Sequence, residues 1–304
     1  MIPLIAVIGA ATLAGYGAEF RFRTSAEQLA RRLMWMVLWV LMPFVAFFNI
    51  AALHIDAHVG AGIGFGWIGI VVSASAAYVL GMRVLRLPRA TVGALMTTSG
   101  FGNTGFLGLP FAVALLGFGQ LANAVAYDNL VSTPAFVTIA FSIGAALGTV
   151  GDNVRTRVLA FVARNPPLWA TLAGLAAPAA LAPHALVDAS RLVAVGILPI
   201  GFFAVGVTLS SEAIEGVARF PPRLDAPVAC ALLLKLVLLP LVVLVLSRTL
   251  IGVPDVYLSQ AAMASAIGNL VVAHEYGLDR RLVAAAIAWS TAIVVPVGAV
   301  VALL

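Results

Sequence analysis

The chain has 304 residues, of which 62% are hydrophobic and 10% are charged. A soluble domain is about 45–50% apolar and 25% charged, so this composition excludes a water-soluble globule and indicates a polytopic membrane protein. The formal charge of +5 then carries no message about nucleic acid; what matters is where the arginines fall between the apolar runs. The one cysteine, Cys230, sits in an apolar run, which excludes an intrachain disulfide.

Ten apolar segments are predicted in chain order, at roughly 2–17, 33–53, 59–82, 90–118, 121–147, 167–182, 192–210, 227–250, 256–276 and 282–304. The first has its positive charges, Arg21 and Arg23, after the apolar core rather than before it. It is therefore read as a span that starts outside, not as a signal peptide. Arg21, Arg23, Arg31 and Arg32 fall between spans one and two, Arg83, Arg86 and Arg89 between three and four, and Arg155, Arg157 and Arg164 between five and six. Arg219 and Arg223 fall between seven and eight, and Arg280 and Arg281 between nine and ten. The opposite side has only Arg191 and Arg248, so the arginine-rich side is expected to be cytoplasmic, in a bacterial-type inner (plasma) membrane, with both termini outside.

Span four contains Thr97-Thr98-Ser99-Gly100-Phe101-Gly102-Asn103-Thr104-Gly105-Phe106-Leu107-Gly108-Leu109-Pro110-Phe111. Glycine costs a helix interior about 1 kcal/mol and proline about 3 kcal/mol. Irregular backbone at membrane depth is tolerated only inside protein or beside a wet cavity. The stretch predicts a broken helix, with Asn103 at the break and Gly102, Gly108 and Pro110 around it. A weaker second break is predicted in span nine, at Ala264-Ser265-Ala266-Ile267-Gly268-Asn269-Leu270. Interrupted segments in corresponding halves point to a transporter binding site.

An odd number of spans in each half means that the halves insert in opposite orientation. Pro3 and Pro167, Pro43 and Pro199, and Asn103 and Asn269 recur at similar separations of about half the chain. The expected fold class is an all-α membrane protein of ten transmembrane helices in two inverted five-helix repeats, residues 1–152 and 153–304. Pro43 and Pro199 are expected to kink or break spans two and seven.

Gly102-Asn103-Thr104-Gly105-Phe106-Leu107-Gly108-Leu109-Pro110 resembles the fourth-span signature of the auxin efflux carrier family. Ile197-Leu198-Pro199-Ile200-Gly201 with Gly206 in span seven and Lys235-Leu236-Val237-Leu238-Leu239-Pro240 in span eight resemble the same family, and Val272-Ala273-His274-Glu275-Tyr276-Gly277 resembles the end of its ninth span. The likeness covers essentially the whole chain. It implies the bile acid–sodium symporter type of fold, in which broken spans four and nine cross in a transport domain, and carriage of small organic anions such as auxin-like acids or dicarboxylates. Family members often have a proline ahead of the span-nine break, and Ala264-Ser265-Ala266-Ile267-Gly268 has none.

At a break, bared N–H groups and the helix dipole favour negative charge, and an asparagine there can donate to a carboxylate or accept from a cation. Asn103, Thr104, Gly105, Gly268, Asn269, Leu270 and Ser99 are the candidate substrate-binding residues. The alternative for each amide is repair of freed backbone groups, and for the hydroxyls a bond to their own helix. Asp128 and Lys235 are intramembrane charges, expensive at that depth. Asp128 is assigned proton or cation coupling and Lys235 anion attraction, the alternatives being a structural pair or Lys235 reaching towards the surface along its stem. Glu275 is a third coupling candidate, although its neighbours Asp279, Arg280 and Arg281 suggest an interfacial place. His54-Ile55-Asp56-Ala57-His58 has metal-like content but no further ligand nearby, and no metal is expected. Gly60, Gly62, Gly64 and Gly66 would let helices approach closely. Gly100-Phe101-Gly102-Asn103-Thr104-Gly105 spells the dinucleotide pattern but lies inside a span, which rejects that reading.

The sequence therefore predicts no enzyme. It predicts a secondary or facilitative transporter of a small organic anion, a carboxylate, bound where the two broken helices cross and carried by alternating access of an elevator type. Coupling to H+ or Na+ is open, no other cofactor is expected, and the scaffold of spans one, two, six and seven can also form a homodimer. A sodium-coupled bile-acid-like symporter is the alternative within transporters, and an ion channel the alternative outside them.

Overall fold

In the computed structural model, residues 2–149, 159, 163, 165–214 and 222–301 are described. The described residues are helical throughout, with a single isolated antiparallel bridge and no strand. The principal helices among the described residues follow in order. They are α1 (Ile2–Phe22), α2 (Thr24–Ala51), α3 (Ala57–Val84), α4 (Arg89–Gly100), α5 (Thr104–Leu116) and α6 (Phe118–Leu147), then α7 (Pro166–Ala176), α8 (His184–Ile214), α9 (Ala226–Thr249), α10 (Asp255–Ala261), α11 (Gly268–Tyr276) and α12 (Arg280–Val301). Six of them, α2, α3, α6, α8, α9 and α12, are long and apolar enough to cross a membrane. Arg155, Arg157, Arg164 and Arg219, and the expected boundary at 152–153, lie outside the described residues.

Helix starts follow local chemistry. The side chains of Asp56, Asn165 and Asp225 accept from Val59, Leu168 and Val228, capping α3, α7 and α9, and Asp279 accepts from Leu282 at the start of α12. Such caps satisfy N–H groups that a helix start otherwise leaves bare. Two expected boundaries are corrected. The loop predicted to hold Arg31 and Arg32 is helix from Thr24 onward; the chain turns at Arg23 alone, whose φ is 39°. Its first turns are amphipathic and bury Ala26 and Ala30, so an amphipathic helix runs directly into the span. The segment predicted at 167–182 is helical only to Ala176, with a short turn over Ala179–Leu181.

Four of the prolines inside spans share a mark. A proline gives no N–H to the carbonyl four residues back, and its ring crowds that carbonyl. Wide π turns occupy Val37–Leu41, Thr104–Gly108, Asp128–Ser132 and Leu234–Leu238. They end just short of Pro43, Pro110, Pro134 and Pro240. Met42, Thr133 and Leu239, each directly before its proline, donate to the carbonyl five residues back. Leu130, whose carbonyl Pro134 cannot serve, accepts from the indole Nε1 of Trp67 at 3.0 Å. Pro43 and Pro110 are thus first-turn residues behind wide turns, not breaks. Pro199 is no break either: α8 is continuous through it.

Packing follows a reciprocal pattern. α1 packs along α8 and α7 along α2; α3 lies against α9; α4 meets α12 and α10 meets α6; α5 meets α12 and α11 meets α6. Close approach within this interior depends on small residues. A Cβ at Gly62 would stand 1.9 Å from the Tyr257 ring, and one at Gly66 2.8 Å from the Tyr127 ring; Gly60 and Gly64 face open space. Tyr127 and Tyr257 pack against each other, tilted by 48° with centroids 5.5 Å apart, in the core these glycines leave room for.

Candidate functional site

Helix α4 ends at Gly100 and α5 starts at Thr104; α10 ends at Ala261 and α11 starts at Gly268. The two intervening segments pair with each other. Gly102 and Ser265 form the antiparallel bridge, with Asn103 N–H donating to the Ala264 carbonyl at 2.7 Å and Ala266 N–H to the Phe101 carbonyl at 2.9 Å. Backbone groups left bare by two helix ends are thereby satisfied without water, as burial requires. Phe101 is buried, and its ring stands edge-on to Phe136 at 5.5 Å. Phe136 in turn lies 2.8 Å from where a Cβ at Gly268 would be.

The first segment carries Asn103 itself, 8% exposed. Its Oδ1 accepts from Leu107 N–H at 3.3 Å and caps α5. The second segment ends before Asn269, which sits fully buried in the first turn of α11. Asn269 Nδ2 donates to Ser265 Oγ at 3.0 Å, while its Oδ1 has no partner among the described residues. Ser265 Oγ donates to the Thr98 carbonyl at 3.1 Å, and its N–H donates to Ser290 Oγ at 3.0 Å. Leu270, next in α11, is buried in the main core. Ser99 is buried with its Oγ unpartnered among the described residues, and its carbonyl accepts from Ser73 Oγ. Thr97 and Thr98 return their hydroxyls to the Ala94 carbonyl, the ordinary use of a hydroxyl in a helix.

The intramembrane charges serve the interruptions rather than each other. Thr104 Oγ1 donates to Asp128 Oδ1 at 2.5 Å, and a Cβ at Gly105 would stand 3.3 Å from Asp128 Oδ2. The carboxylate thus faces the first turn of α5, where the helix end is positive. Lys235 is 1% exposed, and its Nζ donates to the Ala261 carbonyl at 2.7 Å, at the negative end of α10. The same ammonium would lie 3.1 Å from a Cβ at Gly102, so Lys235 also touches the first interruption. Both charges ride on π turns, a distortion common at functional sites. Sequence reasoning did not connect Lys235 with a helix end; the proline five residues on is the one local signal of the wide turn that presents it.

α5 also faces the neighbouring spans. The Phe106 ring lies 2.7 Å from a Cβ placed on Gly201 of α8, and Met42 Cε of α2 lies 3.5 Å from a Cβ placed on Gly105. Glu275 stands apart from this cluster, exposed near the end of α11. The His54–His58 stretch is structural. Asp56 caps α3, the Val59 N–H holds its carboxyl below its ordinary pKa, and His58 Nδ1 bonds the Gly252 carbonyl at 2.7 Å. Among the described residues, no group of three His, Cys, Asp or Glu could hold a metal. A groove of about 490 Å³ opens between α3, α4 and α6, lined by Tyr78, Arg89, Met96 and Thr138, and none of the interruption residues line it.

Comparison with known proteins agrees with this membrane architecture. Residues 152–302 match a family described as "Membrane transport protein". An uncharacterized transporter of Methanocaldococcus jannaschii is 24% identical over 94% of this chain and 94% of its own. Both likenesses are to membrane transporters, and they support a transporter and the resemblance to the auxin efflux carrier family.

Proposed function

We propose that the protein carries a small organic anion, a carboxylate, across a bacterial inner membrane by alternating access, with the solute held where the two interrupted segments meet. One observation carries this reading: the irregular backbones of 101–103 and 262–267 are hydrogen-bonded to each other, with Asn103 inside the first. Paired interruptions near the midplane are how transporters present bared helix ends to a solute. The start of α5 supplies the positive end, and Asn103 and Thr104 supply side-chain donors. The side chains of Asn103, Thr104, Ser265 and Asn269 are buried, so a solute reaches them only after elements move apart. This supports an elevator motion of α4, α5, α10 and α11 against α1, α2, α7 and α8, whose outer face is the proposed homodimer surface.

The reciprocal packing supports ten spans in two inverted repeats. Exchanging α1–α6 with α7–α12 turns α1 on α8 into α7 on α2, and α4 on α12 into α10 on α6, while α3 on α9 maps onto itself. With an odd number of spans per half, the arginine distribution supports both termini outside.

The amide at 103 is tested by two substitutions. Asn103→Ala removes both cap and donor. Asn103→Asp keeps a capping oxygen but sets a negative charge where the anion would sit. In proteoliposomes both variants lose uptake, while Asn103→Asp keeps the wild-type unfolding temperature. Undiminished uptake by Asn103→Asp refutes the anion site. Coupling to H+ or Na+ is assigned to Asp128, the carboxylate that touches α5. Asp128→Asn then changes the pH or sodium dependence of uptake, and an unaltered dependence removes Asp128 from coupling.

A further inference from the structure

One buried side chain is left unused by this transport reading. Gln260 is the second-last residue of α10, next to Ala261, whose carbonyl Lys235 holds. It is 1% exposed, and neither Nε2 nor Oε1 has a hydrogen-bond partner among the described residues. Burying both ends of an amide unpaired forfeits its bonds to water for nothing in return, and native interiors keep few such groups.

Its surroundings make room for it. A Cβ at Gly108 would stand 2.1 Å from Gln260 Oε1, 2.9 Å from Cδ and 3.1 Å from Nε2. Any other residue at 108 would displace the amide. Three residues earlier, Gly105 is approached in the same way by the Asp128 carboxylate, with oxygens 3.3 and 3.5 Å from its Cβ position. The turn that follows Asn103 is therefore faced by a carboxylate at one glycine and an unpaired amide at the next. Packing alone does not require an amide here, since leucine has a similar size and no polar atoms. Amides that hold this structure together bond through at least one end: Asn49 Nδ2 donates to the Val45 carbonyl and Ser190 Oγ, and Asn129 Nδ2 to the Val125 carbonyl.

We propose that Gln260 is a substrate-binding residue that sets specificity: its amide, donor and acceptor at once, engages a second polar group on the transported carboxylate. The substrate class is an acid bearing a hydroxyl, an amide or a second carboxyl a few bonds from the first. This rests on the anion site at Asn103, which orients the first carboxylate so that the other end of the solute meets α10. A site built to hydrogen-bond a substrate group discriminates strongly against the analogue that lacks it.

The test uses the purified full-length protein, with Gln260→Leu and Gln260→Met. Unfolding temperature is measured alone and with butyrate, 4-hydroxybutyrate, succinamate or succinate. Because the amide is unpaired without solute, Gln260→Leu unfolds at least about 2 °C above wild type. Wild type binds at least one of the three polar acids about tenfold more tightly than butyrate, and both variants lose that preference while keeping their butyrate affinity within about twofold. Three results overturn the proposal: both variants unfold below wild type, which makes the amide structural; wild type shows no preference over butyrate; or the variants retain the preference. Failure of the underlying anion site looks different, as unchanged binding of all four acids in Asn103→Ala.

Discussion

The two interruptions hold each other's backbone, yet they are built by opposite means. The first is written into its own sequence. Gly100, Gly102, Gly105 and Gly108 surround it, and Asn103 ends the irregular stretch by capping the next helix with its own side chain. The second, residues 262–267, contains neither glycine nor proline. It leaves helix because neighbours take its polar groups: Lys235 takes the Ala261 carbonyl, Ser290 the Ser265 N–H, and the first interruption takes Ala264 and Ala266. One segment breaks by propensity and the other by tertiary partners. The locally encoded break thus acts as the template, and the second is moulded on it.

This difference predicts unequal sensitivity. The largest effect belongs to Gly102→Val. Its Cβ would stand 3.1 Å from both Cε and Nζ of Lys235, so the branched side chain drives the ammonium off the Ala261 carbonyl and damages both interruptions at once. Overpacking and the lost charge-assisted bond together cost about 3–5 kcal/mol, read as a fall in unfolding temperature together with lost uptake. Gly102→Ala is milder, because the end of a lysine can shift by a few tenths of an ångström. Next comes Ser265→Ala in the second interruption. It removes the bond to the Thr98 carbonyl and leaves Asn269, already lacking a partner for Oδ1 among the described residues, with an unpaired Nδ2 as well. The expected loss is about 2–3 kcal/mol by thermal unfolding. If Ser265→Ala is neutral while Gly102→Val is severe, the second interruption needs no moulding and the contrast fails.

The same contrast explains what was legible in the sequence. The glycines and Asn103 mark the first interruption, where α4 ends at Gly100 and α5 starts at Thr104, because the cause lies in the residues themselves. The second was placed a few residues late, at 264–270 rather than 262–267, because Ala262-Met263-Ala264 is good helix sequence and only distant groups unwind it. Asn269 stood out as the partner of Asn103, but it lies beyond the irregular stretch and braces it through Ser265. Asp128 and Lys235 were readable as costly charges. Their partners were not, since a helix end is not a residue type: each charge meets the end of a half-helix at opposite polarity. Gln260 gave no signal, because a glutamine near a span end reads as interfacial until the fold buries it.

The smallest effect tests whether repair by neighbours is general. Pro134, like the second interruption, leaves a backbone group that something distant must satisfy, and Trp67 Nε1 reaches the Leu130 carbonyl at 3.0 Å. Trp67→Phe keeps most of the ring volume and removes that donor, so it costs about 1 kcal/mol. Pro134→Ala restores an N–H able to serve the same carbonyl from within the helix. In that background the indole has less left to do, so Trp67→Phe with Pro134→Ala is less destabilised than the sum of the single variants, by a coupling of about 0.5 kcal/mol or more. Additive losses would mean that Trp67 contributes packing alone. The wide turn before Pro134 would then stand without outside help, and repair from a distance would be confined to the second interruption, where no residue within the segment can break the helix by itself.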